Sequence, residues 1–139
     1  MNKIENFLGQ ILCPDLGKLI LRLTLGFLML FHGVSKATHG IDGIKALVVN
    51  NGLPEFLAYG VYLGEIIIPI MLIIGLYTRI SSLIFASTMA FAIYLVHSSE
   101  ILSINDKTGG LAIELPLLFM LSAIALMFIG AGKLSVDKK

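Results

Sequence analysis

The chain has 139 residues, 57% of them apolar and only 14% charged, and ten Lys and Arg against nine Asp and Glu leave a net charge of +1. A soluble domain is about 45–50% apolar and about 25% charged, so this composition excludes a disordered chain, a nucleic-acid binder and an ordinary soluble enzyme. With a mean hydropathy of +0.93, an integral membrane protein is what remains.

Near the N-terminus, Ile4, Phe7, Leu8, Ile11 and Leu12 recur at helical spacing, while Lys3, Asn6 and Gln10 occupy other faces. The pattern predicts a short amphipathic helix on the membrane surface, stopped at Pro14. A plain N-terminal lead-in is the competing reading.

Four charge-poor stretches follow. They lie between Lys18 and Lys36, between Glu55 and Arg79, from Ile80 to Ser99, and between Lys107 and Lys133. A helix needs about 20 apolar residues to cross a bilayer core, so four transmembrane helices are predicted, at roughly 17–37, 56–77, 80–98 and 111–131. The expected fold is all-α: one membrane domain, an antiparallel four-transmembrane-helix bundle with the amphipathic helix in front. Four buried soluble helices would need polar outer faces, and Leu63 to Leu76 has a single charged residue and no such face. Lys3, Lys18, Arg79, Lys133, Lys138 and Lys139 fall on one side of these spans, and Lys36, Lys45 and Lys107 on the other. The positive-inside rule puts both termini in the cytoplasm. The first apolar run lacks a small-residue cleavage pattern and reads as an uncleaved anchor.

Between the first two spans, Ile41, Ile44, Leu47 and Val48 share one helical face, ended by Asn50, Asn51 and Gly52. A short helix over the outer mouth of the bundle fits, as does a simple surface connection. The other outer loop, Glu100 to Gly110, is polar. The two hairpins are faintly alike: His32 and His97 end the first helices, and Glu65 with Pro69 and Glu114 with Pro116 mark the second ones.

Charged side chains near the bilayer centre cost about 2.5–3.5 kcal/mol on insertion scales, and they usually face the interior and find partners. Six candidates stand out: Arg22, His32, Lys36, Glu65, His97 and Glu114. In an antiparallel bundle all but Arg22 fall in the outer half, where two bases, two carboxylates and a lysine would make a proton-exchanging pocket. Glu65 is too deep to reach water cheaply and is expected to neutralise Lys36 or a protonated His32. The ordinary readings are that Arg22 reaches the cytoplasmic headgroups, that Lys36 and His97 mark the interface, and that Glu114 is solvated. An internal ion pair can also do no more than fix helix register.

Gly60 and Gly64 form a GxxxG before Glu65, and Ser82, Ala86 and Ala90 a small-residue ridge, both suited to close helix packing. Pro69 frees a carbonyl near Glu65. The two His and two Glu match no di-iron spacing, so no metal site is expected, and Cys13 as the sole cysteine excludes an intrachain disulfide and multi-cysteine metal sites.

Arg22-Leu-Thr-Leu-Gly26, Phe31-His32-Gly33 with Lys36, Gly64-Glu65 with Pro69, Gly75-Leu-Tyr-Thr78-Arg79, and Gly130-Ala-Gly132-Lys-Leu-Ser135 with Asp137 occur in an order that resembles the DoxX family of small four-helix membrane proteins. The resemblance covers nearly the whole chain. It implies a bacterial inner-membrane protein, with relatives linked to oxidoreductase assemblies handling thiols, superoxide or thiosulfate and to quinone or catechol resistance. On the matching positions it points to Arg22, His32, Lys36 and Glu65. A thiosulfate:quinone oxidoreductase needs a second subunit with its own domain, so that assignment does not follow.

Three functions compete. One is an accessory, non-catalytic subunit of a redox system that binds a quinone or similar lipophilic molecule, with no intrinsic cofactor and with redox partner proteins supplying electrons. Another is a small proton-coupled transporter, which with only four helices would need to form a homo-oligomer. The third is a structural or assembly protein of the lipid bilayer.

Overall fold

Residues 3–11 form the first helix, α1 (Lys3–Ile11), begun by Asn2, whose side chain accepts from the Ile4 N–H. The computed structural model describes residues 2–99 and 101–138, without the side chain of His97. Glu100 of the expected second outer loop and Lys139 of the orientation count therefore lie outside the described residues. All of α1 is exposed, including the apolar stripe of Ile4, Phe7 and Ile11. Pro14 then opens α2 (Pro14–His39) at its first turn, where a missing N–H costs nothing.

A short helix, α3 (Asp42–Asn50), links α2 to α4 (Glu55–Ile74). α4 is irregular. Glu55–Tyr59 is a tight 3-10 turn, Gly60–Tyr62 is α, Leu63–Ile67 is a π-helical turn, and Ile68–Ile74 is α again. A three-residue turn leads to α5 (Thr78–His97), and α6 (Glu114–Ile129) completes the set. Among the described residues there is no strand, only an isolated bridge between Ile104 and Leu111. The chain is all-helical. α2, α4 and α5 are long and apolar enough to cross a membrane, and α6 is a shorter apolar helix.

The helices differ from the predicted spans at both ends for local reasons. α4 stops at Ile74 because Gly75 takes a left-handed conformation (φ 74°), which a residue with a side chain adopts only at a cost. α6 has 16 residues rather than the expected span of 111–131. At its start, Ala112 donates to Ser103 and ties the segment into the preceding loop; at its end, Gly130 turns away with φ 80°.

α2 packs against α4 and α6, and α5 packs against α4 and α6. The shared core draws on Leu25 and Met29 of α2, Ile68 and Leu72 of α4, Phe85 and Met89 of α5, and Phe119, Ala123 and Leu126 of α6. Phe85 and Phe119 meet as tilted rings with centroids 6.1 Å apart. A smaller cluster of Ile41, Val48 and Ala58 seats α3 on the start of α4 and against Leu95.

Polarity is inverted relative to a water-soluble fold. Phe31 is 74% and Phe128 71% exposed, while Arg22 is 0% and Glu65 4% exposed. Such an arrangement is stable only where the surroundings are apolar.

Arg22 and the C-terminal segment close one end. Its Nε donates to the Ala131 carbonyl (3.2 Å), its Nη1 to the carbonyls of Leu72 (3.0 Å) and Ile73 (2.9 Å), and its Nη2 to that of Leu134. Asp137 lies within electrostatic reach. Its two carboxylate oxygens accept from the Tyr77 and Thr78 N–H groups at 2.9 and 2.8 Å, so it caps the start of α5. Val136 N–H donates to Ile74, and Arg79 Nη1 donates to Met127 (2.7 Å) and Phe128 (2.6 Å) at the end of α6. Three helix termini whose polar groups would otherwise lack partners are thereby satisfied.

Removing this hub has a defined cost. Arg22→Met strips four buried carbonyls of their charged donor, so a loss of about 3–5 kcal/mol is expected. Thermal unfolding in detergent micelles reads it, with Arg22→Lys intermediate because an ammonium lacks the planar fork.

Candidate functional site

At the opposite end, α2 and α4 come into backbone contact. Gly33 faces the π-helical turn of α4, and a methyl added there would sit 2.7 Å from the Glu65 carbonyl carbon and 2.6 Å from an Ile66 side-chain carbon. The turn itself has a chemical origin. Pro69 has no N–H to offer the carbonyls four and five residues before it, and the Ile68 N–H bonds to Leu63, five residues back. π-helical turns of this kind concentrate at functional positions.

Glu65 sits within that turn, buried, and Lys36 reaches it from one helical turn beyond Gly33. The Lys36 Nζ lies 2.6 Å from Oε1 and 2.7 Å from Oε2 of Glu65, a bidentate ion pair. The Glu65 side chain is 6% exposed and that of Lys36 31%. The ammonium therefore keeps a donor to spare, and the carboxylate keeps lone pairs.

The pair forms part of the wall of a cavity of about 500 Å³ between α3, the first half of α4 and α5. Ile44 and Leu47 of α3 cover one end. Among the described residues the α5 wall is apolar except for Ser87 and Thr88. These hydroxyls donate to the Leu83 and Ile84 carbonyls (both 2.9 Å), which leaves their oxygens as acceptors. The cavity thus offers one ammonium donor, one carboxylate and two hydroxyl acceptors in an otherwise apolar lining among the described residues, within the size range of ligand pockets, about 300–1,000 Å³.

Of the six residues expected to act, the structure brings Lys36 and Glu65 together. It does not bring His32, Arg22 or Glu114 to them. His32 is exposed on the outer surface of α2, because Gly33, about 100° round the helix, is the residue that faces α4. Lys36 reaches the acid on its long stem, so sharing a face with His32 does not carry the imidazole inward. Arg22 lies in the closed end described above. Glu114 is exposed at the start of α6, beside Gly110 and outside the cavity wall. His97 ends α5, and its side chain lies outside the described residues. The likeness between the hairpins fails in the same place, since Glu65 is buried in mid-helix and Glu114 starts one. No three His, Cys, Asp or Glu side chains gather as metal ligands among the described residues.

Sequence reasoning missed Gly60, Ser87 and Thr88 as cavity residues. The GxxxG gave a partial signal and pointed to packing. Gly64 does pack, with the Thr88 side chain against it, but Gly60 has nothing within 4 Å and opens onto the cavity. In the ridge on α5, Ser82 and Ala86 are buried and Ala90 is exposed. Outside the spans, Lys45 lies 4.9 Å above the Tyr59 ring and 4.0 Å from Glu55. Its pKa is raised, first by hydrogen bonding with Tyr59.

Two mutant comparisons follow from this geometry. Gly33→Ala forces α2 and α4 apart and is expected to cost about 1–3 kcal/mol, whereas Gly60→Ala, in open helical backbone, is expected to be neutral or to stabilise by up to about 1 kcal/mol. Lys36→Met leaves a buried acid unpaired and is expected to cost about 3–5 kcal/mol, while the double change Lys36→Met with Glu65→Leu restores most of it. Unfolding midpoints of the purified variants in detergent check both.

The sequence pattern of the DoxX family matches residues 17–98, the segment that holds Arg22, Gly33, Lys36, Glu65 and Arg79. A Bacillus subtilis (strain 168) protein named "Putative oxidoreductase CatD" is 32% identical over 123 residues, covering 88% of this chain and 86% of that protein. An uncharacterized protein of Haemophilus influenzae is 30% identical over 144 residues, covering 100% of this chain and 97% of its own. No solved structure matches at a significant level. The chain belongs to the DoxX family of membrane proteins.

Proposed function

We propose that this protein is an accessory subunit of a quinone-linked redox system and that it holds a quinone or a related lipophilic molecule in the cavity beside Lys36 and Glu65. In this reading α2, α4, α5 and α6 form a single antiparallel four-helix bundle across the bacterial inner membrane, with both termini cytoplasmic. The inverted polarity and the Lys and Arg distribution support that placement.

The observation that carries the reading is a bidentate ion pair in the wall of an apolar cavity of about 500 Å³. A quinone carbonyl accepts a hydrogen bond, which the spare ammonium donor of Lys36 supplies. A bound hydroxyl donates one, which Glu65, Ser87 or Thr88 accepts. A quinone, when bound, supplies two-electron, two-proton chemistry, and none of the described side chains lining the cavity carries electrons, so in this reading the electron donor belongs to a partner protein. The name of the Bacillus subtilis relative, "Putative oxidoreductase CatD", is consistent with such a role.

A second reading has its own observation. Glu65 is a buried carboxylate in a segment of irregular helix, and interrupted helices near mid-membrane are where carriers bind coupling ions. In a proton-coupled carrier, Glu65→Gln abolishes the proton dependence of flux in liposomes.

The quinone reading is tested with a benzoquinone bearing a ten-carbon tail, titrated against purified protein in lipid nanodiscs. Loss of a charged hydrogen bond is worth about 1.5–3 kcal/mol, so Lys36→Met and Glu65→Gln, and the stability-compensated double variant, are expected to weaken binding roughly 10–100-fold. His32→Ala is expected to bind within about twofold of the unmodified protein. Absence of binding, or equal binding by all variants, counts against the reading.

A further inference from the structure

The cavity has a closed end, a floor and one open side. Its roof is α3, where Val48 is fully buried against Ala58 and Leu95 and where Ile44 and Leu47 look inward. Its floor is the contact between α4 and α5 at Gly64, where an added methyl would lie 2.6 Å from a Thr88 side-chain carbon. One helical turn towards the roof, at Gly60, an added methyl would meet nothing within 4 Å among the described residues. The two helices therefore touch at Gly64 and stand apart at Gly60. The separation falls where α4 departs from α-helical geometry, with the π turn below Gly60 and the 3-10 turn above it.

The open side runs along α5. Leu83, Ser87 and Phe91 lie four residues apart on one face of that helix, are exposed, and line the cavity. Among the described residues that line the cavity, charge is confined to Lys36 and Glu65. The other charges nearby, Lys45 and Glu55, pair on the α3 side, where the roof lies. A polar solute arriving from water meets the roof, whereas a molecule dissolved among acyl chains meets an uncharged gap.

We propose that the cavity is loaded sideways from the bilayer, through the gap between α4 and α5 in the leaflet nearest α3, and that Gly60 is the residue that keeps this gap passable and limits the width of what passes. This rests on the reading of the cavity as a ligand site. Gly60 sits in right-handed helical backbone (φ −59°, ψ −21°), so a larger side chain there narrows the gap without straining the chain.

The sequence has no Trp, so Phe91→Trp places one indole at the mouth. In phosphatidylcholine vesicles, lipid brominated on its acyl chains is expected to quench that indole several-fold more than aqueous iodide does. Quenching by iodide with none by the brominated lipid overturns the sideways route. Leu83→Trp, on the same face, repeats the measurement if the first reporter folds poorly. On either background, Gly60→Ala and Gly60→Leu are then titrated with the benzoquinone carrying a ten-carbon tail. The half-saturating concentration is expected to rise stepwise, reaching at least tenfold for Gly60→Leu, while Gly17→Leu, at another open glycine far from the cavity, stays within twofold. An unchanged titration for Gly60→Leu overturns the role of Gly60. If the reporter protein binds no quinone, the quinone reading falls by itself, and the gap is read by the brominated chains alone: Gly60→Leu is expected to halve their quenching, and no reduction overturns the proposal.

Discussion

A guanidinium deprived of water must direct its donors at protein oxygen, and in this fold that single requirement organises one whole end of the molecule. Arg22 bonds to carbonyls at the end of α4 and in the segment after α6. Those bonds hold the last residues against the turn before α5, and Asp137 and Arg79 then serve the neighbouring helix termini. In an apolar medium unsatisfied backbone groups cost several kcal/mol each, so this network acts as a seal. With the helix ends pinned here, α4 and α5 are free to separate at their far ends, and that separation is the cavity.

The ion pair depends on the same logic at smaller scale. A carboxylate buried in mid-helix needs a cation with good geometry, and Lys36 supplies one because Gly33 lets the two backbones meet. Pro69 removes an N–H just beyond Glu65, and the helix answers with a wider turn. Three residue choices on two helices, Gly33, Lys36 and Pro69, therefore fix one acid.

The features that could be read in advance were those signalled by a residue in an unlikely place. An isolated Glu65 in an apolar run announces an inward-facing acid, with Lys36 or His32 on the preceding span as its partner, and the structure pairs it with Lys36. The apolar face of residues 41–48 fits a helix over the mouth and a plain surface connection equally, and only the packing of Ile44 and Leu47 against the cavity separates the two. The function of Arg22 was hidden because its partners are backbone carbonyls, which every residue has. His32 misled because depth along a helix is legible in sequence while rotation about its axis is set by what packs, here Gly33. The two glycines of the GxxxG look identical in sequence and differ only in what stands opposite: Thr88 at one, open space at the other. The early ends of α4 and α6 turn on Gly75 and Gly130, whose positive φ values are not visible in a hydropathy pattern.

The distance along the chain between Arg22 and its farthest partners has a bearing on biogenesis. Ala131 and Leu134 follow it by 109 and 112 positions, so a ribosome makes α2 long before those oxygens exist. During that interval only the Leu72 and Ile73 carbonyls of its final set are available to it, and a long side chain near a helix end can reach water and lipid headgroups with its remaining donors. Completion of the Arg22 network, and with it the final seating of α2, thus waits for the last residues of the segment after α6.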